Sequence, residues 1–262
     1  MSERILVERI GRVLKVVNND PATRNALSWE FYDGFREALE GARDDASVGA
    51  VVLTGAEGFF CSGGNLNSIN ERRSQDLATR RKGVDRLHDM IFAMRESPKP
   101  IIAAVDGGAA GAGASIMSAC DLIVGASDAY ASVAYIKIGL TPDGGSTAFL
   151  GTALPRQMVA EMLFTGDRIP LTRLHALGLV NRIAEPGGAL EMAMDWAAKI
   201  ADGPSRATAK AKQLIDHARL ASLKAQLDME ADGIAEAIGG NEGEEGLAAF
   251  LEKRRPDWSK TR

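Results

Sequence analysis

Aromatic side chains are sparse in this 262-residue chain, at 5% of residues, and it has only three histidines and two cysteines. Two cysteines, Cys61 and Cys120, cannot build a disulfide framework. They read as small buried hydrophobes of a chain expected in a reducing, cytoplasmic compartment. His88, His175 and His217 are scattered without metal-ligand spacing, so no metal centre is expected. Long unbroken apolar runs are missing too. The least polar stretch, residues 100–119, is interrupted by Asp106 and crowded with glycine, and reads as strand, turn and buried helix rather than a membrane span. Nor is there an excess of positive charge: the net charge is −4, which argues against a protein organised around nucleic-acid phosphates. Residues 1–12 already alternate charged and apolar side chains and do not read as a leader peptide.

What remains is an ordinary globular composition, 45% hydrophobic and 25% charged, long enough for one large domain with a helical extension. Residues 5–7 and 13–17 read as paired strands around Gly11, and Ser28 as the N-cap of an amphipathic helix reaching Leu39. Apolar runs at 50–53, 101–105 and 122–124 suit buried parallel strands. A polar helix is expected over 75–95, where the Arg80-Arg81-Lys82 run reads as a solvated face. Another helix is expected over 113–120. Strands alternating with turns and helices predict an α/β core. After Pro186 only helical spacing appears, at 189–200, 206–219, 223–238 and 246–253. Such a tail cannot bury its apolar stripes alone and must pack on the core or on another subunit.

Two segments carry candidate chemistry, each directly after an expected buried strand. They are Gly58-Phe59-Phe60-Cys61-Ser62-Gly63-Gly64-Asn65-Leu66 and Asp106-Gly107-Gly108-Ala109-Ala110-Gly111-Ala112-Gly113-Ala114-Ser115. Small residues let a main-chain N–H approach a ligand closely. The second segment also opens a helix, whose first N–H groups lack partners and sit at the positive end of its dipole. Two converging N–H donors are what an oxyanion requires. Spacing argues against nucleotide binding: Ile116 stands where a dinucleotide fingerprint needs its third glycine, and no Gly-Lys-Ser/Thr follows. By spacing alone, a purely structural turn stays open.

Several motifs in order resemble the crotonase (enoyl-CoA hydratase/isomerase) superfamily over almost the whole chain. Arg24-Asn25-Ala26-Leu27 resembles its N-A-L motif, residues 60–66 its F-C-A-G-x-D-L loop, and residues 109–115 its A-x-G-G-G-x-E loop. Residues 139–147 resemble G-L-x-P-D-x-G-G-T, while 163–166, 176–180 and 245–254 match L-x-T-G, A-x-x-x-G-L-V and the closing E-G-x-x-A-F-x-E-K-R. The resemblance implies a crotonase-like ββα spiral core over residues 1–200. It implies a C-terminal helical trimerisation region over 201–262, giving a homotrimer or dimer of trimers. The implied ligand is an acyl-CoA thioester, with coenzyme A entering as part of the substrate and no separate cofactor. The implied oxyanion donors are the N–H groups of Ser62 and Ala112, with Gly63, Gly64, Asn65 and Gly111 bordering the thioester. Family CoA contacts carry over to Ala22 and Arg24, and to Phe250 and Lys253 reaching a neighbouring subunit.

The departures are equally informative. Hydratases of the family hold water with two glutamates, and this chain has Ser115 and Tyr135 at those places. Water addition needs a base for the water and an acid for the α-carbon; serine has no useful acidity near neutrality, and tyrosine, with a pKa of about 10, is a poor base. Asp143, in Pro142-Asp143-Gly144, is the remaining carboxylate, though Pro-Asp-Gly is also a common turn. Some double-bond isomerases of the family keep an aspartate here, and the Ala109 to Ala114 run is similar to the ring-opened phenylacetate isomerases. The reading is therefore a double-bond isomerase with Asp143 as base. Ser115 then fills the space of an absent glutamate, and Tyr135 either orients substrate or packs. Alternatives are hydration by Asp143 alone, aryl-CoA dehalogenation with Asp143 as nucleophile, or an acyl-CoA-binding subunit without turnover.

Overall fold

A computed structural model describes residues 4–218 and 223–261. Arg219, placed at a helix end by its spacing, lies outside the described residues. Strands β1 (Ile5–Ile10) and β2 (Val13–Asn18) form the expected antiparallel hairpin around Gly11. Parallel strands β3 (Ala50–Gly55) and β4 (Ile101–Val105) then extend the sheet. Helix α1 (Trp29–Arg43) connects β2 to β3, and α2 (Leu66–Glu71) and α3 (Leu77–Glu96) lie between β3 and β4. The Ser28 side chain accepts from the Phe31 N–H and starts α1, and Asp76 does the same for α3 through Thr79.

Two further turns have a strand–strand–helix form. From β4 the chain enters β5 (Gly108–Ala110) and α4 (Ala112–Ala119). It then makes β6 (Leu122–Ala126), β7 (Tyr130–Ser132), a short 3-10 helix (Ala134–Ile138) and α5 (Ser146–Ala153). The first strand of each turn joins the large sheet; the second joins a small one. After α6 (Arg156–Thr165), the short β8 (Ile169–Pro170), α7 (Leu171–Ala176) and β9 (Arg182–Ala184) follow. The described residues thus form a six-stranded sheet in the order β1-β2-β3-β4-β6-β9, and a three-stranded sheet in the order β5-β7-β8. Every residue of β4, and all of β3 but its last, is buried, as expected of parallel strands covered on both faces.

Helix α8 (Ala189–Ala201) packs on β2, β3, β4 and β6. Its buried face is Ala189, Ala193, Ala197 and Ala201, one small residue every four positions. A side chain on Gly49 would stand 2.7 Å from the Ala201 Cβ, which measures how tightly helix and sheet meet. Beyond it lie only helices among the described residues: α9 (Ser205–Ala218), α10 (Leu223–Gly239), α11 (Asn241–Leu251) and a terminal 3-10 turn. Charge holds α9 to the core. The buried Lys212 ammonium reaches the Met94 and Lys99 carbonyls at 2.9 and 3.2 Å and Asp121 at 2.8 Å. Arg95 bridges Asp121 at 3.1 Å to Asp216.

Enlarging one alanine of the α8 stripe should force helix and sheet apart. Ala197→Leu is expected to destabilise the protein by about 1–3 kcal/mol, seen in urea unfolding as a lower midpoint at unchanged slope.

Candidate active site

The two glycine-rich segments lie side by side. The Phe60 N–H donates to the Asp106 carbonyl at 3.0 Å, Cys61 N–H to Gly108 at 3.1 Å, and Ala110 N–H back to Cys61 at 2.9 Å. Contact between them is main chain on main chain. A Cβ on Gly63 would fall 2.6 Å from the Ala110 oxygen and 3.3 Å from the Ala112 nitrogen, and one on Gly113 would fall 2.6 Å from the Cys61 oxygen. Gly63 also sits at φ +94, where any side chain is strained. Cys61 itself is buried and its thiol is pushed up to about 12 by that burial, in keeping with a packing role.

A third segment clamps the first. Asn25 is fully buried at φ +57, in the left-handed region that asparagine tolerates. Its Nδ2 donates to the Ala56 and Phe59 carbonyls at 2.9 and 2.5 Å, and its Oδ1 accepts from the Asp20 N–H at 2.9 Å. The Ser62 N–H donates to the Arg24 carbonyl at 2.9 Å and the Ser62 hydroxyl to the Thr23 carbonyl at 2.8 Å. The resemblance offered the Ser62 N–H to a thioester oxygen, but that donor already has an acceptor. Ser62 is withdrawn from the donor role; it ties the 20–25 loop, which carries Ala22 and Arg24, to the rim of the site. Further along the same strand of chain, the Gly63 carbonyl accepts from Leu27 at 2.8 Å, and the Gly64 N–H has no acceptor among the described residues. Across from it, the Ala112 N–H opens α4 and is likewise unclaimed among the described residues, while Ala114 and Ser115 donate to Gly111 at 3.0 and 3.3 Å. Asn65 turns its side chain to the Asn67 and Ser68 N–H groups, at 3.0 and 3.3 Å, and caps α2.

Behind the Ala112 amide, α4 carries Ser115, fully buried, against the 3-10 turn of Tyr135 and the Asp143 corner. Ser115 Oγ donates to the Asp143 main-chain oxygen at 2.9 Å and lies 3.2 Å from the Tyr135 hydroxyl. The Tyr135 hydroxyl is 2.5 Å from Asp143 Oδ1. Burial drives the Asp143 pKa above the usual carboxylate value, opposed by the Tyr135 hydrogen bond and by the charges of His88 and Arg72. Burial raises Tyr135 as well, so it stays a phenol.

Sequence reasoning missed two contributors. Tyr32 of α1 is buried, and burial raises its pKa, with the Asp143 charge adding to the effect. It hides in the apolar stripe of Phe31, Phe35 and Leu39, and only its phenolic tip sets it apart. His88 had no partner in sequence, yet Leu87 beside it packs 3.2 Å from where a Gly144 Cβ would be, next to Asp143. Phe250 and Lys253 are not part of this cluster as drawn within one chain: Phe250 is 83% exposed, and Lys253 is exposed just past α11. Among the described residues no group of three His, Cys, Asp or Glu side chains is placed to hold a metal ion, and no helix is long and apolar enough to cross a membrane.

Because folding raises the Asp143 pKa, the native state holds its proton to higher pH than the unfolded chain does. Stability from this group is therefore fully present below the ordinary carboxylate value of about 3.9 and is lost as pH rises through the folded value. Asp143→Asn, which removes the ionisation, is expected to unfold at a higher temperature than wild type at pH 7. The gap should close as the pH falls below about 4, in paired thermal melts.

Comparison with known proteins agrees with this architecture. Residues 8–261 match the family model described as enoyl-CoA hydratase/isomerase. The chain is 32% identical to the 2,3-dehydroadipyl-CoA hydratase of Escherichia coli K12, covering 98% of this chain and 99% of that one. It is 29% identical to the 1,2-epoxyphenylacetyl-CoA isomerase of the same organism, covering 99% of each. A crystal structure of an enoyl-CoA hydratase from Polaromonas sp. JS666 superposes with a TM-score of 0.94 at 40% identity, over 96% of this chain and 98% of that one. The chain belongs to the enoyl-CoA hydratase/isomerase family of the crotonase superfamily.

Proposed function

We propose that the protein is an enoyl-CoA isomerase that moves a double bond between the β,γ and α,β positions of an acyl-CoA thioester. The observation that carries this reading is the single half-buried carboxylate of the Ser115–Tyr135–Asp143 cluster, standing behind two unclaimed main-chain amides. The thioester oxygen sits between the N–H groups of Gly64 and Ala112. Asp143 takes a proton from the α-carbon, and negative charge moves onto the oxygen as a dienolate. The same carboxyl then returns the proton to the γ-carbon, so one base suffices and nothing else is consumed. Coenzyme A contributes the thioester as part of the substrate, bordered by Ala22, Arg24 and the 62–65 loop, with no separate cofactor. Phe250 and Lys253 complete the CoA site of a neighbouring copy in a homotrimer or dimer of trimers.

Proton counting in the cluster supports a base that changes state during the cycle. With Asp143 ionised, the Tyr135 hydroxyl donates to Oδ1 and the Ser115 hydroxyl to the Asp143 carbonyl. Once Asp143 is protonated it donates to the Tyr135 oxygen, and the tyrosine proton turns to Ser115 Oγ, 3.2 Å away. Both states are fully hydrogen-bonded without moving a heavy atom. Hydration, by contrast, needs a second acid–base group, and the positions at hand hold serine and tyrosine.

Asp143→Asn is expected to lower kcat for 3-enoyl-CoA to 2-enoyl-CoA conversion by about 10²- to 10⁴-fold, followed by absorbance of the conjugated thioester. Unchanged turnover would remove Asp143 as base, and rapid 2-enoyl-CoA hydration by wild type without isomerisation would replace this reading by a hydratase. Ala112 is the first residue of α4, where proline fits a helix but has no N–H. Ala112→Pro should therefore keep the fold and lose about 10²- to 10³-fold in kcat, with a far-ultraviolet dichroism spectrum like that of wild type.

A further inference from the structure

Arg72 lies in the single 3-10 turn Arg72–Ser74 that follows α2. Its Nε donates to the Ser68 carbonyl at 3.1 Å, and its guanidinium carbon stands 5.3 Å from the centre of the Trp29 ring. A Cβ on Gly83 of α3 would be 2.1 Å from Arg72 Nη1, so the guanidinium occupies the space that any side chain at residue 83 would take. The neighbouring cation, Arg86, covers the same indole at 5.0 Å but has a partner, Asp33, at 3.4 Å. Arg72 is half-buried and, among the described residues, pairs with no carboxylate. Its terminal N–H groups donate to no acceptor among those residues either.

Position makes this cation informative. Gly83 and Leu87 are one turn apart on α3, about 6 Å along its axis, and Leu87 packs on Gly144 beside Asp143. The Arg72 charge acts on both Asp143 and Tyr32. A fixed, partly desolvated guanidinium with free forked donors is a receptor for a carboxylate. We propose that Arg72 binds a carboxylate at the far end of the acyl group, which makes the substrates dicarboxylic enoyl-CoA thioesters. The proposal rests on the reading of Asp143 as the group facing the reacting carbons.

Calorimetric titration with non-reacting saturated thioesters tests it apart from turnover. Adipyl-CoA, hexanoyl-CoA and free CoA would be titrated into wild type, Arg72→Met and Arg72→Lys. Wild type is expected to bind adipyl-CoA about tenfold to a hundredfold more tightly than hexanoyl-CoA. Arg72→Met should erase that preference while hexanoyl-CoA and free CoA bind as before, and Arg72→Lys should keep part of it. Equal affinities of wild type for the two acyl groups overturn the proposal without any variant. Equal weakening of all three ligands by Arg72→Met also overturns it, because the guanidinium would then be reading CoA phosphates. A retained adipyl-CoA preference in a protein that does not isomerise 3-enoyl-CoA thioesters leaves Arg72 standing and removes the isomerase reading instead.

Discussion

In the proposed mechanism the amides of Gly64 and Ala112 address one atom, and for that two stretches of main chain have to meet at contact distance. A side chain at residue 63 or 113 would occupy carbonyl oxygens of the opposite segment, so both positions are glycine. The segments are aligned by the bonds between Cys61 and Gly108 or Ala110, a short parallel pairing that continues the small sheet. Asn25 then fixes the first segment from behind: one fully buried side chain donates to the Ala56 and Phe59 carbonyls and accepts from the Asp20 N–H of its own loop. Oxyanion stabilisation is effective because the donors are held in place before charge develops. Here the holding is done by backbone and by one amide, not by flexible polar side chains.

Much of this was legible in the sequence, and the failures have physical causes. Buried parallel strands announced themselves as short apolar runs, and Ser28 announced the start of α1. Helix α2 was overlooked, although Asn65 is a good N-cap type, because its six residues are too few to display a period. The glycine spacing marked where main chain approaches main chain, but not which amide is free. That Ser62 donates to Arg24 depends on how two loops distant in sequence stack, and a motif carries no record of it. Tyr32 and Arg72 were invisible for related reasons. One sits within an apolar helical stripe, and the other, given no role by the sequence, is singled out only when a glycine on a different helix is found to make room for it.

The Asp143 carboxyl, the base of the proposed reaction, is subject to opposing influences. Burial pushes its pKa up, while the Tyr135 hydrogen bond and the electrostatic influence of His88 and Arg72 hold it down. A carboxylate that was only desolvated would stay protonated and take nothing from substrate; one that was only paired would be too weak a base. A substrate carboxylate seated on Arg72 would cancel part of that cation's pull on Asp143. Substrate recognition and base strength would then be linked through a single guanidinium.

Serine at position 115 belongs to the same balance. Its hydroxyl touches the Asp143 carbonyl and the Tyr135 hydroxyl, so a glutamate there would bring a second negative charge into the cavity that already desolvates the first. Like charges in a shared buried site force one carboxyl to remain protonated. For adding water that is an asset, since an acid and a base are then available together. For carrying one proton between two carbons it is an obstacle, because the shuttle must start ionised. A neutral hydroxyl removes the repulsion and still accepts the tyrosine proton when Asp143 is loaded. The loss of both hydratase glutamates therefore need not mean a decayed site. It is what a one-carboxylate cycle requires.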